Sequence, residues 1–573
     1  MDIEKQIAEE LNIKVWQVQA VVKLIDEGNT IPFIARYRKE MHGSLDDTAL
    51  RNLDDRLTYL RNLLAKKEQV IASIDEQGCM TEELRLSIMN AVTQVEVDDL
   101  YRPFRPKRKT RAVIAREKGL ELLADIIKLQ IADTDIMNIA SDYVSDEKGV
   151  ASAEEAISGA SDIIAEDISD NADYRMAIRD MTRREGLIIS AAKDSEAKSV
   201  YENYYDFSEP VKKISGYRIL AINRGEKEKY LTVKLEAPYE RIIRFLEKKV
   251  IVKDNPYTVP VLKAAIVDSY ERLIAPSVER EIRNELTENA ENGAVAVFGK
   301  NLTQLLMQPP IAGKTVLGWD PAFRTGCKLA VVDATGKVLD TTVVYPTMPR
   351  NRVAETKRTV DALIKKYDIN LISIGNGTAS RESEQIVSDI LKDHPNVKYA
   401  IVNEAGASVY SSSKLASEEF PEFDVGQRSA ASIARRIQDP LSELVKIDPK
   451  SIGVGQYQHD MNQKKLGDAL TSVVEDCVNK VGVDLNTASA PLLSYIAGIS
   501  KTVAKNIILY REENGKFTDR KQLKKVPKIG PKAYEQCAGF LRINGGDNPL
   551  DATSVHPESY DACKKLIDIL GFN

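Results

Sequence analysis

The stretch VLGWDPAFRTGCKLAVVDATGKVLDTTVVYP, residues 316–346, decides the fold of the middle of the chain. Its first part, VLGWD, is a short apolar run that Pro321 stops, and CKLAVVD and KVLDTTVVYP are two further runs of strand composition. Thr335-Gly336, between the second and the third run, is typical of a hairpin turn. The stretch therefore predicts three consecutive strands, of which the last two form a hairpin.

Helices and strands alternate after this hairpin. Residues 351–367 show apolar side chains at helical spacing, LISIGNG (371–377) is a fourth strand, residues 378–391 are a second helix, and KYAIVNEAG (398–406) is a fifth strand. Three strands followed by alternating helices and strands is the order of the ribonuclease-H fold, a mixed sheet flanked by helices. We therefore expect an α/β ribonuclease-H-like domain over residues 312–440.

The rest of the chain is predominantly helical. Residues 1–195 show helix after helix, with a helix-turn-helix rhythm around Gly28-Asn29, and residues 196–311 are predicted to be mainly helical. Within the second range, YRILAIN (217–223) and KYLTVKLEA (229–237) have strand character. The fold class is thus multi-domain and mainly α, with one ribonuclease-H-like domain, a hairpin domain over residues 441–545 and the start of a further helical domain over residues 546–573.

Two short helical hairpins are predicted in the hairpin domain. YIAGISKTVAKNII (495–508) and VPKIGPKAYEQ (526–536) each place a glycine-containing turn between two helices, as in tandem helix-hairpin-helix motifs. A glycine lets such a turn approach a phosphate group, and the next helix offers unpaired N–H groups and the positive end of its dipole. The candidate backbone-binding residues are Gly498, Ser500, Lys501, Lys505, Lys528, Gly530 and Lys532. Each hairpin keeps one of the two usual glycines, so a role in packing alone stays open.

Two basic islands lie on a chain whose net charge is −6. Residues 100–120 hold eight Lys or Arg against one acidic residue, and residues 490–544 hold eleven against four. Localised phosphate-binding surfaces and ordinary solvated faces both fit such runs. In the first island, the aromatic and basic mixture could stack on bases or form a strap between domains. Its candidate contacts are Arg105, Lys107, Arg108, Lys109 and Arg111.

Several classes of protein are disfavoured by composition. The five cysteines and four histidines are scattered, without a CxxC pair, which argues against a disulfide framework and against a zinc site. No apolar run reaches the length of a membrane span, and the N-terminus lacks the basic and apolar regions of a secretory signal. We therefore expect a cytoplasmic protein without a membrane partner.

Three acidic residues are candidates for a catalytic site in the ribonuclease-H-like domain. Active members of this fold hold two divalent ions on three or four carboxylates at strand ends and on a late helix. Asp320 ends the first strand and Glu404 follows the fifth, but residues 427–438 of the late helix hold no acid, and Asp439 lies only at its end. Two carboxylates bind Mg²⁺ weakly. We expect a vestigial site and no cofactor, with Mg²⁺ or Mn²⁺ needed only if the domain is a nuclease.

Seven stretches of this sequence resemble the Tex family of bacterial transcription-accessory proteins, and together they span almost the whole chain. They are IPFIARYRKE (31–40), LYRPFRPKRKTRAVIAREKGL (100–120), GWDPAFRTGCKLAVVD (318–333), IGNGTASRE (374–382), VNEAGASVYSSS (402–413), DPKSIGVGQYQHD (448–460) and GPKAYEQCAGFLRI (530–543).

The resemblance implies a helix-turn-helix-like N-terminal region, a YqgF-type ribonuclease-H-like domain, tandem helix-hairpin-helix motifs and a C-terminal S1 domain. No five-stranded S1-like pattern follows the hairpins before Asn573, so we expect this chain to lack that domain. The implied role is binding of RNA or DNA linked to transcription, by a monomer with RNA polymerase or the ribosome as possible partners. A metal-dependent nuclease or Holliday-junction resolvase, and a scaffold that docks on proteins, are the alternatives.

Overall fold

The computed structural model describes residues 2–106 and 109–571, so Lys107 and Arg108, two of the predicted phosphate contacts, lie outside the described residues. The chain divides into two compact units, and neither is one continuous stretch of sequence. Unit 1 consists of Met1–Val15 and Asn52–Ala294, and unit 2 of Trp16–Arg51 and Val295–Asn573. None of the described helices is both long enough and apolar enough to cross a membrane.

The first 185 residues are a succession of helices, as their apolar spacing predicts. The bounds are Ile3–Leu11 (α1), Val15–Asp26 (α2), Ile31–Tyr37 (α3), Lys39–His42 (α4), Asp47–Glu76 (α5), Glu82–Asn90 (α6), Gln94–Tyr101 (α7), Arg111–Glu117 (α8), Glu121–Leu129 (α9), Ile136–Ser141 (α10), Ala153–Asp170 (α11) and Ala172–Glu185 (α12). Side-chain caps start several of them; Thr110, for example, accepts a hydrogen bond from the Val113 N–H at the start of α8.

A small sheet and further helices follow in unit 1. The elements are Leu187–Ala192 (β1), Asp206–Pro210 (β2), Gly216–Lys227 (α13), Leu231–Glu236 (β3), Tyr239–Val250 (α14), Val259–Asp268 (α15) and, after a π-helical turn, Ala275–Leu306 (α16). The three strands are antiparallel in the order β2-β1-β3.

Two predictions for this part of the chain are wrong and one is confirmed. YRILAIN lies in α13 and is not a strand. The prediction failed because the segment has four consecutive buried residues, 219–222, and such an apolar run fits a buried helix and a buried strand equally well. β1 was not predicted within the helical range 1–195. The strand expected in KYLTVKLEA is β3.

A buried ionic network ties the helices of unit 1 together. Arg175 is fully buried and donates hydrogen bonds to Asp99 at 2.6 Å and to Glu281 at 2.9 Å. Arg179, 4% exposed, donates to the same two carboxylates at 2.6 and 2.7 Å. Three helices, α7, α12 and α16, thus meet at four charged side chains whose charges balance.

The ribonuclease-H-like sheet of unit 2 has the predicted strands. In chain order the elements are Val316–Asp320 (β4), Cys327–Val332 (β5), Val338–Val344 (β6), Val353–Tyr367 (α17), Leu371–Gly375 (β7), Ser380–Ile390 (α18), Lys398–Val402 (β8), Ala407–Ser411 (α19), Lys414–Glu419 (α20) and Val425–Gln438 (α21). The sheet order is β6-β5-β4-β7-β8, with β5 antiparallel to both neighbours and β4, β7 and β8 parallel. This mixed sheet confirms the predicted fold class.

Strand β4 lies in the middle of the sheet and is covered on both faces. Leu317 and Trp319 pack with α17 and α18, whereas Val316 packs with α21 on the opposite face. Gly318 shares that second face, where a Cβ atom would stand 2.1 Å from the carbonyl oxygen of Ala430. The glycine is what lets α21 lie directly on the sheet, and the alternation places Asp320 on the α21 side as well.

The remaining described elements of unit 2 are mostly short helices. They are Pro440–Leu444 (α22), Gln463–Val481 (α23), Val483–Asp484 (β9), Ala490–Leu493 (α24), Lys501–Asn514 (α25), Pro531–Cys537 (α26), Leu541–Arg542 (β10) and Tyr560–Leu570 (α27). β9 and β10 form a parallel pair that closes the hairpin domain.

The segment around α3 packs on the second hairpin of the same unit. The backbone N–H and the hydroxyl of Thr30 donate hydrogen bonds to Oε1 of Gln536, at 3.0 and 2.8 Å. Arg38 donates to Glu535 at 2.8 Å, with both side chains largely buried. The IPFIARYRKE signature therefore contributes contacts within the protein, and Arg38 is engaged in one of them.

Candidate nucleic-acid interface and carboxylate pair

Asp320 is held at the end of β4 against the late helix. Ser429 of α21 lies beside its carboxylate, where the hydroxyl favours the charged form. Burial raises the pKa of Asp320 above its usual range, although the Ser429 hydroxyl and the charge of Lys328 act in the opposite direction. The carboxylate is thus kept in an environment that disfavours its charge.

Glu404 reaches the same edge of the sheet from the loop after β8. A Cβ atom at Gly377 would stand 1.6 Å from Oε1 of Glu404, and one at Gly375 would stand 2.1 Å from Oε2. The Gly-Asn-Gly turn after β7 therefore leaves the space that this carboxylate fills. Burial, and then repulsion from Asp320, raise the pKa of Glu404. Among the described residues, its buried Oε2 has no hydrogen-bond partner.

The third candidate carboxylate is used elsewhere. Asp439 caps α22, accepting hydrogen bonds from the N–H and the hydroxyl of Ser442 at 3.0 and 2.6 Å. The α21 residue beside Asp320 is a serine. Across the described parts of the chain, no three or more His, Cys, Asp or Glu side chains form a group that could hold a metal ion.

The two arginines of α21 point in different directions. Arg436 is almost fully buried, and its guanidinium donates hydrogen bonds to the carbonyl oxygens of Asn403 and Ala405, at 2.7 and 2.9 Å, on either side of Glu404. Arg435 turns to the opposite side and donates to the carbonyl of Gly336 at 2.7 Å. The guanidinium of Arg436 therefore holds the Glu404 loop in place. It has no acceptor atom, so it cannot bind a metal ion.

The donor set at this edge does not fit a two-ion centre. Such a centre spaces two divalent ions about 4 Å apart and shares carboxylates between them. Here Asp320 lies beside the hydroxyl of Ser429, and Glu404 lies near the cation of Arg436, so neither neighbour adds a carboxylate to the pair.

Asp320→Asn is expected to stabilise the ribonuclease-H-like domain at pH 8, by on the order of 1 kcal/mol or a few degrees in Tm. A raised pKa in the folded state means that the ionised form costs stability at every pH above that pKa. The cost disappears only as the pH falls through the usual pKa of an aspartate, below which the carboxyl is uncharged in both the folded and the unfolded protein. Thermal unfolding from pH 8 down to about pH 3.5 should show the advantage of the variant shrinking.

Asp340→Asn is the matched control on the same sheet. Partial burial raises the pKa of Asp340, but hydrogen bonds from Tyr367 and Lys366 outweigh this effect and lower the pKa below its usual range. This substitution should therefore destabilise at pH 8, and its effect should persist until the pH falls below the usual pKa of an aspartate, because a lowered pKa loses its stabilising contribution only there. If Asp320→Asn lowers Tm as the control does, the buried carboxylate of Asp320 does not destabilise the folded protein.

The first hairpin presents the start of a long helix. Ser500 caps α25, its hydroxyl accepting from the Val503 N–H, and Lys501 and Lys505 are exposed. Neither lysine has an ion-pair partner within the described residues. Gly498 has a φ of +77° and lies against α26, where a Cβ atom would stand 2.6 Å from Cβ of Gln536. Its lack of a side chain thus serves the packing of one hairpin on the other.

The second hairpin is partly engaged within the protein. Lys528 takes a positive φ of 69°, and Gly530 begins α26 with open space around its Cα. Lys532 donates a hydrogen bond to Oδ1 of Asn29 at 2.6 Å and lies 3.4 Å from Glu535. Of the second-hairpin residues predicted to contact phosphate, Lys528 and Gly530 are exposed, whereas Lys532 is hydrogen-bonded to Asn29, just before α3.

Much of the charge of the first basic island is neutralised by α11. Arg116 donates to Glu166 at 2.9 Å and to Asp167 at 2.6 Å, and Lys118 donates to Glu155 at 2.7 Å. The three described candidates of this island are exposed and have no ion-pair partner in the part of the chain that the structure describes. They are Arg105, Lys109 and Arg111.

Sequence reasoning missed residues whose roles depend on distant contacts. The sequence of α21 shows small and basic residues, but it does not show that Ser429 lies beside Asp320 or that Arg436 bonds to the loop around Glu404. Gly375 and Gly377 likewise carry no signal of a nearby glutamate. The Gly-Asn-Gly turn is not followed by GK[ST], so it does not predict a nucleotide loop, and it does not point to Glu404 either. The two glycines lie two residues apart on one turn. This spacing is the feature of the sequence that could have indicated that another side chain approaches the turn closely.

Comparison with known proteins gives matches along most of the chain. The Tex-like protein N-terminal domain matches residues 1–75, the Tex central region residues 132–298, and the Tex protein YqgF-like domain residues 314–438. A helix-hairpin-helix motif matches residues 478–542, and an HHH domain matches residues 548–573.

Three bacterial relatives show the same extent of similarity. The uncharacterized protein YdcI of Bacillus subtilis is 52% identical over all of this chain and 80% of its own length. Protein tex of Bordetella pertussis is 46% identical over 98% of this chain and 73% of its own length. The transcriptional accessory protein Tex of Neisseria gonorrhoeae is 45% identical over 99% and 75%, respectively. The chain therefore belongs to the Tex family.

Proposed function

We propose that this protein is an accessory factor of transcription that binds the sugar-phosphate backbone of nucleic acids largely without regard to sequence. Two of the relatives described above are named as Tex, one of them as a transcriptional accessory protein. The observation that carries the proposal is the start of α25, where exposed Lys501 and Lys505 stand beside a Ser500-capped helix end. Unpaired N–H groups, the helix dipole and two lysines act there in the same direction on a phosphate.

Backbone contacts of this kind position a protein without reading bases. The hairpin turns offer main-chain N–H groups and lysines, whereas readout of bases needs side chains that enter a groove. Exposed Arg105, Lys109 and Arg111 add a second basic patch, in unit 1. In this proposal the ribonuclease-H-like domain is a scaffold, no cofactor is required, and the protein acts as a monomer, with RNA polymerase or the ribosome as further partners.

Reversal of the hairpin charges tests the proposal. Lys501→Glu/Lys505→Glu should weaken binding of labelled RNA and DNA by at least about tenfold and make the dependence on salt shallower, by about 0.7–0.9 in log–log slope per lost contact. Lys501 is the first residue of α25, where a carboxylate is compatible with the helix dipole, so the fold should be retained.

Lys248→Glu/Lys249→Glu at the end of α14 is the matched control, with the same change in net charge on exposed lysines of unit 1. It should leave affinity within about twofold of the wild type. Equal affinities and salt slopes for the hairpin variant and the wild type would assign the hairpins to packing and contradict the proposal.

A metal-dependent nuclease is the second candidate function, because Asp320 and Glu404 meet at one sheet edge with raised pKa values. Single-stranded, duplex and four-way-junction substrates, incubated with Mg²⁺ or Mn²⁺, distinguish the two candidates. The scaffold role predicts no cleavage by the wild type above that of Asp320→Asn. Metal-dependent cleavage that Asp320→Asn abolishes would establish the nuclease instead.

A further inference from the structure

A groove of about 1050 Å³ in unit 2 connects the first hairpin with the ribonuclease-H-like domain. Its walls come from three regions that are far apart in sequence: α20, one face of α23 (residues 463–475) with the loop before it, and the α24–α25 hairpin. Six lysines line it: Lys414, Lys446, Lys450, Lys464, Lys501 and Lys505. We propose that this lysine groove holds a single strand of nucleic acid and guides it from the first hairpin to α20.

The charges of the groove leave four lysines for a ligand. Glu418 lies 3.5 Å from Lys414, but both side chains are mostly exposed, so this pair engages Lys414 only weakly. Asp448 lies 3.8 Å from Lys450, Glu475 is largely buried and Asp468 is exposed. Lys446 is engaged by carboxylates of α20 and α22. Lys464, Lys501 and Lys505 are exposed and have no ion-pair partner among residues 2–106 and 109–571.

Two long helices begin at this groove. α23 has 19 residues and starts beside Lys464, and α25 has 14 residues and starts at Lys501. Each helix start carries partial positive charge, and each adds a lysine in its first turn. Because both helix starts line the groove, their positive charges act on the same space, where phosphate groups of one strand would lie.

The floor of the groove suits bases better than free ions. Tyr495, Pro491 and Leu415 line it together with the lysines and are only partly exposed. Single-strand-binding proteins combine a positive groove with aromatic and apolar faces on which bases pack. The groove volume is at the upper end of about 300–1000 Å³ for drug-sized ligands, which is enough for a few nucleotides.

This inference rests on the proposed nucleic-acid binding and adds the path and the strandedness of the ligand. Its test replaces lysines on the walls away from the hairpin, with Lys414→Glu/Lys464→Glu. Both positions lie in the first turn of a helix, where a carboxylate is favoured, so the variant should fold. The control is again Lys248→Glu/Lys249→Glu.

Fluorescence anisotropy with RNA and DNA single strands of about 12 nucleotides, and with a duplex of the same length, gives the readout. The groove variant should lose at least about tenfold in affinity for single strands, and its salt slope should fall by about 1.4 for two lost contacts. Its affinity for the duplex should change by less than about threefold.

Three outcomes would overturn the inference. Single-strand affinity and salt slope equal to those of the control would show that the strand does not follow the groove, while the proposed function would stand. An equal loss for the duplex would make the groove a general phosphate surface. Absence of salt-dependent binding by the wild-type chain would remove both the inference and the proposed function.

Discussion

Asp99→Ala is expected to lower the free energy of unfolding of unit 1 by about 3–5 kcal/mol, because it breaks a buried ionic network by removing one partner. Asp99 is 6% exposed and accepts hydrogen bonds from both Arg175 and Arg179 at 2.6 Å. Without it, two buried guanidinium groups share the single carboxylate of Glu281. Arg175 already has one buried nitrogen, Nη1, without a partner among the described residues. The uncompensated charge costs more than the lost hydrogen bonds alone.

Asp98→Ala is the control at the adjacent position. Its carboxylate is 56% exposed and pairs with Lys66 at 3.4 Å, and pairs of this kind contribute about 0–1 kcal/mol. Urea unfolding, followed by circular dichroism and by hydrogen exchange in α12, should separate the two variants clearly. Similar midpoints for Asp98→Ala and Asp99→Ala would mean that the network contributes little to the stability of unit 1.

The ribonuclease-H-like domain was predictable because its signals are local. The strand-forming runs, Pro321 and the Thr335-Gly336 turn each act within a few residues, and the five strands in the sheet are the five predicted. Asp320 at the end of β4 and Glu404 after β8 lie at one edge of the sheet, as the order of the strands predicts, whereas their role as a site stays a prediction. The sequence predicted YRILAIN incorrectly because a short apolar run fits a buried strand and a buried helix equally well.

What could not be predicted depends on contacts between distant residues. Thr30 and Gln536 are 506 residues apart, and nothing in either stretch specifies the other. The excess of basic residues in a stretch of sequence also overestimates the charge available to a ligand. Arg116 and Lys118 pair with acidic residues of α11, and Arg520 is buried. The lysine groove is the converse case: its lysines are scattered over residues 414–505 and form no run that sequence inspection detects.

Arg520→Met is expected to destabilise the hairpin domain by about 3–5 kcal/mol, the range for breaking a buried polar network. Arg520 is 1% exposed, and its guanidinium donates hydrogen bonds to the carbonyl oxygens of Leu541, Thr553 and Val555 at 2.7, 2.6 and 2.8 Å. It also donates to the hydroxyl of Tyr560. Methionine fills most of the volume but donates nothing, so three carbonyl groups would be left without this donor.

Lys521→Met is the matched control, since it removes a positive charge from the next, exposed position. Both variants lose one cation, but only Arg520→Met should lower the urea midpoint and expose residues 541–560 to limited proteolysis. Because Arg520 anchors the 3-10 turn Arg520–Lys525 that precedes the second hairpin turn, its loss should also weaken nucleic-acid binding more than the loss of Lys521 does. Equal midpoints and equal proteolysis for the two variants would show that the buried arginine does not hold this region together.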